Sequence, residues 1–292
     1  MAASETATTV SELRDVFNQL DYHAIARHFD QDDDDIDHEI DPYVVCDGVS
    51  VETFNSYIGD GEELPFRLRF LELIDGRVVI MDLATTIHES AIRAFDFTFL
   101  TASGNGREVG MGGSTTVELP GGPKKEADAS FGPLIDTPHR TPVPSGITCD
   151  KWFTLAVEIG RSQSWASLNR AAQIWCEYPG IQYILLMKIT PQGAQMRYAL
   201  YDIAVQGVLP AVPTRSGRFE RRNTPHPPEI ISFGMHRILN CTMERCTCGG
   251  STTSTARWRS SRTSSTSMMR TGSSPDVDTT CVRRQNTILD LS

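Results

Sequence analysis

The chain has 292 residues, 39% of them hydrophobic, and carries 27 Lys+Arg against 37 Asp+Glu, a formal net charge of −10. That is enough apolar material for a sizeable core, and no apolar run approaches the roughly 18–20 residues a bilayer-spanning helix needs, which excludes a membrane-embedded reading. The charge is uneven: residues 1–150 hold 10 basic against 28 acidic side chains, and residues 215–292 hold 12 against 6. A broad nucleic-acid face in the first half is therefore excluded, because phosphate binding is driven by Lys and Arg.

The first ten residues are small and polar, without a basic stretch followed by an apolar core. With seven scattered cysteines, this points to reduced thiols and an intracellular location, cytoplasmic or nuclear. Residues 11–29 read as one helix, with Leu13, Val16, Phe17, Leu20, Ile25 and Phe29 at helical spacing. Gln31–Asp41 is an acidic run with four consecutive aspartates. It lacks the alternating ligands, central Gly and closing Glu of a calcium loop, so it reads as a solvated linker. Residues 42–63 give no clear pattern.

From Leu64 the text is regular. Phe66–Ile74 and Arg77–Asp82 are apolar-rich and joined by Asp75-Gly76, a strong hairpin signal. Residues 86–100 suit a helix with Ile87, Ala91, Ala94, Phe95 and Phe99 on one side. Three strands follow: 109–119, 126–131 and 153–159. Ser162 or Ser164 caps a helix that Pro179-Gly180 stops, and Ile181–Ile189 reads as a strand buried on both faces. Residues 196–205 form a further strand. From Ser251 to Pro275 fifteen residues are Ser or Thr with almost nothing apolar, a composition that cannot offset ordering entropy. The expected division is an N-terminal helix and acidic linker (1–63), an α/β domain (64–212) and a disordered tail (213–292). On this reading residues 249–280 pack against nothing, and deletion after Asn240 leaves the melting temperature nearly unchanged.

Two apolar strands carry carboxylates. Asp128 lies in Lys125-Glu126-Ala127-Asp128-Ala129-Ser130 and Glu158 in Phe153–Gly160, thirty residues apart. A buried carboxylate is costly unless it is paired or binds a cation. The pair therefore suggests a two-carboxylate metal site on a small sheet.

The order helix, three strands, helix, strand resembles the αβββαβ core, with its mixed central sheet, of the restriction-endonuclease-like PD-(D/E)XK superfamily. The block Phe70–Met81 followed by Thr86-Ile87-His88 is similar to the opening of a family of bacterial restriction-endonuclease homologues. Lys125-Glu126-Ala127-Asp128 looks like its Pro-Asp strand with Ala127 in place of the proline, and Glu158–Ser164 looks like its Glu-x-x-Ser-x-Ser strand end. Residues 126–189 also resemble a branch found in fungal and other eukaryotic proteins. The resemblance covers about residues 64–205. It implies a Mg²⁺- or Mn²⁺-dependent nuclease acting on DNA, with Asp128 and Glu158 as metal ligands and Glu72 as a third acid. A nuclease-like module that binds without cutting is the alternative.

The chain departs from the motif at its lysine: Gly160 stands two residues after Glu158. The chain has four lysines, Lys124, Lys125, Lys151 and Lys188. Lys188 is the first candidate for a displaced basic group, since a helical crossover makes its strand parallel to that of Glu158. Arg161 and Arg170 are the alternatives.

Overall fold

The computed structural model describes residues 5–30, 35–59, 64–104, 106–113, 115–220, 230–241, 254–257 and 286–290. The protein is a mixed α/β structure with a mixed central sheet. Among the described residues no helix is long and apolar enough to cross a membrane.

The N-terminal part comprises β1 (Glu5–Thr6), α1 (Val10–Asn18), α2 (Tyr22–Phe29), β2 (Tyr43–Asp47), α3 (Val51–Ile58) and the hairpin β3 (Leu71–Ile74) and β4 (Arg77–Ile80). The expected helix over 11–29 is two helices. Asp21 accepts hydrogen bonds from the backbone N–H groups of His23 and Ala24, so it starts α2 as an N-cap instead of continuing α1. The hairpin turn carries Asp75 and Gly76 at φ 50° and 78°, the left-handed pair a two-residue turn requires.

The strands align as β1-β2-β4-β3. Their core holds Leu13, Phe17, Ile25, Phe29, Phe54, Leu71, Val78 and Ile80. The hairpin completes this first sheet by pairing with β2. The acidic run is not simply a solvated linker: Ile36 and Ile40 are buried, and they anchor residues 35–41 to the fold.

Next come α4 (Thr86–Ser103), β5 (Val109–Met111), the ribbon β6 (Val117–Glu118) and β7 (Lys124–Lys125), β8 (Ala129–Pro133), β9 (Leu155–Gly160), α5 (Trp165–Cys176), β10 (Tyr183–Ile189), β11 (Gln195–Asp202) and β12 (Arg215–Glu220). The strand expected over 109–119 breaks near Gly113, whose φ is 50°. Six strands form a sheet in the order β12-β11-β10-β9-β8-β5. β9 and β10 are parallel, and the remaining neighbours are antiparallel.

Alternate residues of β9 and β10 face opposite layers. Leu155, Val157, Leu185 and Met187 pack towards Phe95 and Phe99 of α4. Ala156, Ile184 and Leu186 pack towards Leu168, Ala172 and Trp175 of α5. Helices on both faces explain why these strands read as continuous apolar runs.

The chain continues into β13 (Ile230–Gly234), α6 (Met235–Ile238), β14 (Ser254–Arg257) and β15 (Asn286–Asp290), with β15 pairing to both β13 and β14. The expected structureless tail from 213 is corrected on three counts. β12 extends the central sheet, and Ile231, Phe233, Met235, Ile238 and Leu239 join the α4-side core. Residues 254–257, inside the span expected to lack structure, form a strand. The short apolar run at 230–241 has a hydrophobic face to bury. Most of the remaining tail expectation lies outside the described residues.

Candidate functional site

The carboxylates named from sequence gather where three units meet: the hairpin of the first sheet, the β6–β7 ribbon, and the ends of β8 and β9. Glu72 projects from β3, and Lys125 from β7. Asp128 sits at a bend just before β8, and Glu158 lies on β9. Ala129 pairs with Val157, which sets Asp128 across from Glu158. The ribbon is held by Asn55 of α3, whose Oδ1 accepts the Lys124 N–H at 2.7 Å and whose Nδ2 donates to the Gly122 carbonyl at 3.1 Å. That clamp, together with strand alternation, turns Lys125 inward.

Lys125 is the central cation. Its Nζ donates to Glu72 Oε1 at 2.9 Å and lies 3.5 Å from Glu158 Oε1. Glu158 Oε1 also accepts the indole N–H of Trp175 from α5. Asp128 Oδ2 accepts the Ile159 backbone N–H at 2.7 Å. Its Oδ1 lies 3.2 Å from His88 Nε2 and 3.8 Å from Arg69 Nε. The same His88 nitrogen reaches the Ile159 carbonyl at 2.8 Å. Both partners are acceptors, so Nε2 carries the hydrogen. Arg69 in turn pairs with Glu89. Glu72, Lys125, Asp128 and Glu158 are each 4–7% exposed, so these charges interact with little screening by water.

The electrostatics follow from one ammonium shared among several carboxylates. Burial alone would pull the Lys125 ammonium down, but Glu158, Glu72 and Asp128 outweigh it and hold the ammonium above the ordinary lysine value. Burial pushes Glu158 up to about 7. Lys125 and the Trp175 N–H oppose that rise, while Asp128 and Glu72 add to it. For His88 burial acts downward, and the hydrogen bond and charge of Asp128 more than reverse it.

Lys188, the first sequence candidate for the basic role, lies elsewhere. β9 and β10 are parallel as expected, yet Lys188 Nζ donates to the His38 carbonyl at 2.7 Å and lies 3.9 Å from Glu39. Arg161 directs its guanidinium to the Phe29 carbonyl, and its backbone N–H to Asp82. The position the motif assigns to lysine is crowded: a Cβ on Gly160 would meet Gln163 Cβ at 3.1 Å and Leu168 Cδ1 at 3.3 Å.

Sequence reasoning passed over Lys125 as the partner, although it opens the quoted strand. It also passed over Arg69 and Asp82. Asp82 is buried and accepts the N–H groups of Leu83, Arg161 and Ser162, bracing the turn after β9. The available signal was a lysine three residues before Asp128.

Among the described residues no cluster of three or more His, Cys, Asp and Glu side chains is arranged around a metal position. The donor chemistry nonetheless fits a hard divalent cation. Asp128 and Glu158 offer carboxylate oxygens, and Glu72 Oε2 is buried without a hydrogen-bond donor. Mg²⁺ takes one or two protein carboxylates and keeps several waters.

No family model matches the chain, and no curated protein matches it. Among solved structures it is similar to the crystal structure of a candidate nuclease belonging to DUF820 from Anabaena variabilis, at 15% identity and a TM-score of 0.37, over 61% of this chain and 88% of that one.

Proposed function

We propose that the chain is a metal-dependent nuclease of the restriction-endonuclease-like superfamily acting on DNA, with Asp128 and Glu158 as metal ligands and Lys125 as the basic group beside them. The observation that carries this reading is the Asp128–Glu158–Lys125 cluster at the ends of adjacent strands β8 and β9, with Glu72 as a third acid. The order α4, β5, β8, β9, α5, β10, with the β6–β7 ribbon between β5 and β8, supports it.

When bound, Mg²⁺ or Mn²⁺ would activate a water and offset charge building on the scissile phosphate. The chain's own groups prepare that chemistry. The Ile159 N–H holds Asp128 Oδ2, and Oδ1 faces His88 and Arg69. The Trp175 N–H fixes Glu158. Lys125 carries a positive charge into a shielded site, where it stabilises an anionic phosphate far better than it would in water.

The second reading is a nuclease-like module that binds without cutting. It is favoured by the depth of the cluster, with every acid at most 7% exposed and Lys125 already lodged between Glu72 and Glu158. Plasmid and single-stranded DNA incubated with Mg²⁺ or Mn²⁺ separate the two readings. The nuclease reading expects nicking that a chelator stops and that Glu158→Ala reduces to background. Cutting that survives Glu158→Ala, or no cutting with either metal, overturns it.

A further inference from the structure

A second charged arrangement lies at the same end of the central sheet, outside the carboxylate cluster. Residues 35–41, Asp-Ile-Asp-His-Glu-Ile-Asp, cross the ends of four consecutive strands. At β12, Arg218 Nη1 donates to Asp37 Oδ2 at 2.9 Å. At β11, Arg197 Nη1 lies 4.0 Å from Asp37 Oδ1, and its guanidinium stacks over Trp165 at 4.2 Å. At β10, the Lys188 ammonium donates to the His38 carbonyl and faces Glu39. At the start of α5, Glu39 Oε1 accepts the Trp165 N–H at 2.7 Å, and the Ile40 N–H donates to the Ser162 carbonyl just past β9.

The segment thus sets carboxylates against two arginines, a lysine and the first turn of α5, groups of the kind that recognise phosphates. Lys188 makes this a built site and not a solvated charge run. It is 2% exposed, and both polar partners of its Nζ belong to the 35–41 segment. A lysine sunk at a strand end for packing alone would direct its ammonium to water. Register places Lys188 beside Gly160, two residues along from Glu158 and on the same face of the sheet. A strand of nucleic acid lying across this end would therefore run towards the carboxylate cluster.

We propose that Lys188, Arg197, Arg218 and the first turn of α5 form a phosphodiester-binding face, and that residues 35–41 lie on it as an acidic strap that nucleic acid must displace. The choice of nucleic acid as ligand rests on the nuclease reading. The strap is attached in a way that permits exchange. Asp37 and Glu39 are half exposed, while Ile36 and Ile40 are buried and anchor the segment.

The test is binding of a short labelled DNA duplex to the full chain in chelator, followed by fluorescence anisotropy across a salt series. Asp37→Asn/Glu39→Gln frees the two exposed cations, Arg197 and Arg218, for phosphate, while Lys188 keeps the His38 carbonyl. Affinity should rise about tenfold at low salt, and the slope of log K against log salt should steepen by about 1.8, from roughly 0.9 per added phosphate contact. Adding Arg197→Gln/Arg218→Gln to that variant should remove the gain. The control Asp15→Asn/Glu52→Gln makes the same change in net charge away from the face and should leave the slope unaltered.

Three results overturn the strap: no gain in Asp37→Asn/Glu39→Gln, a gain that persists without Arg197 and Arg218, or an equal gain in the control. Thermal melting of each variant shows that it is folded. Cleavage is not read in this experiment, so the two ideas fail separately. A strap effect in a protein that never cuts removes only the nuclease reading, and a cutting protein without the effect removes only the strap.

Discussion

Lys125→Met should lower the stability of the folded protein by about 3–5 kcal/mol at pH 8, the cost of stripping a buried charge cluster of its partner. At roughly 2–4 °C per kcal/mol for a structure of this size, the melting temperature should fall by about 6–20 °C. The ammonium touches Glu72 and Glu158 and sits within the field of Asp128, all shielded from water. Methionine keeps the volume and removes the charge, so packing loss contributes little. The pH dependence has a definite sign. Glu158 is pushed up to about 7 from the ordinary carboxylate range, so folding takes up a proton between the two, and stability falls as pH rises through the window. Without Lys125 the carboxyl rises further, so the deficit of the variant should be largest at alkaline pH and shrink as pH falls towards 5. Cleavage, if present in the parent, should disappear at every pH. A melting temperature at pH 8 within a degree of the parent would show that the carboxylates are compensated by something other than Lys125.

Truncation after residue 212 should abolish cooperative folding. It removes Ile231, Phe233, Met235, Ile238 and Leu239, each at most 1% exposed in the core shared with α4. Burial of such side chains contributes about 1.5–3 kcal/mol each. The five together therefore approach the roughly 5–15 kcal/mol that holds a whole domain folded. Phe233 is central: its ring packs edge-on against Phe99 at 5.6 Å and against Tyr183 at 5.5 Å. The same cut removes Arg237, which donates to the Ile203 carbonyl and lies over the Tyr183 ring. Urea denaturation followed by tryptophan fluorescence reads the outcome. A truncated chain that still unfolds in one sharp transition near the parent's midpoint would show that residues 213–292 are dispensable after all.

The two predictions test different layers of the molecule, and they differ in how visible their basis was beforehand. The order of elements from α4 to β10 was legible because its signals are local. Apolar spacing marks α4, Ser164 and Pro179-Gly180 bracket α5, and the uninterrupted run at 183–189 announces a strand covered on both sides. Asp128 and Glu158 stood out because a carboxylate within an apolar strand needs a compensating partner, and that cost can be read from one stretch of chain. The position of the hairpin was not legible. Asp75-Gly76 specifies a turn but not which sheet the turn joins, and β4 pairs with β2 across a separation set by the N-terminal helices.

The compensating lysine was decided by tertiary structure. Lys188 interrupts an apolar strand and was the natural choice on local grounds. Its partner turned out to be an acidic segment some 150 residues earlier in the chain. Lys125 enters the cluster only because Asn55 clamps a short ribbon against α3 and the hairpin brings Glu72 over it. Residues 230–241 gain a fixed place only where α4 and β10 supply the apolar surface they cover. The sequence by itself determined most elements from α4 to β10 and which carboxylates carry an unmet electrostatic cost, because period and burial act over a few residues. Which cation meets that cost, and where the core ends, depend on contacts between distant segments, and only the folded chain brings those together.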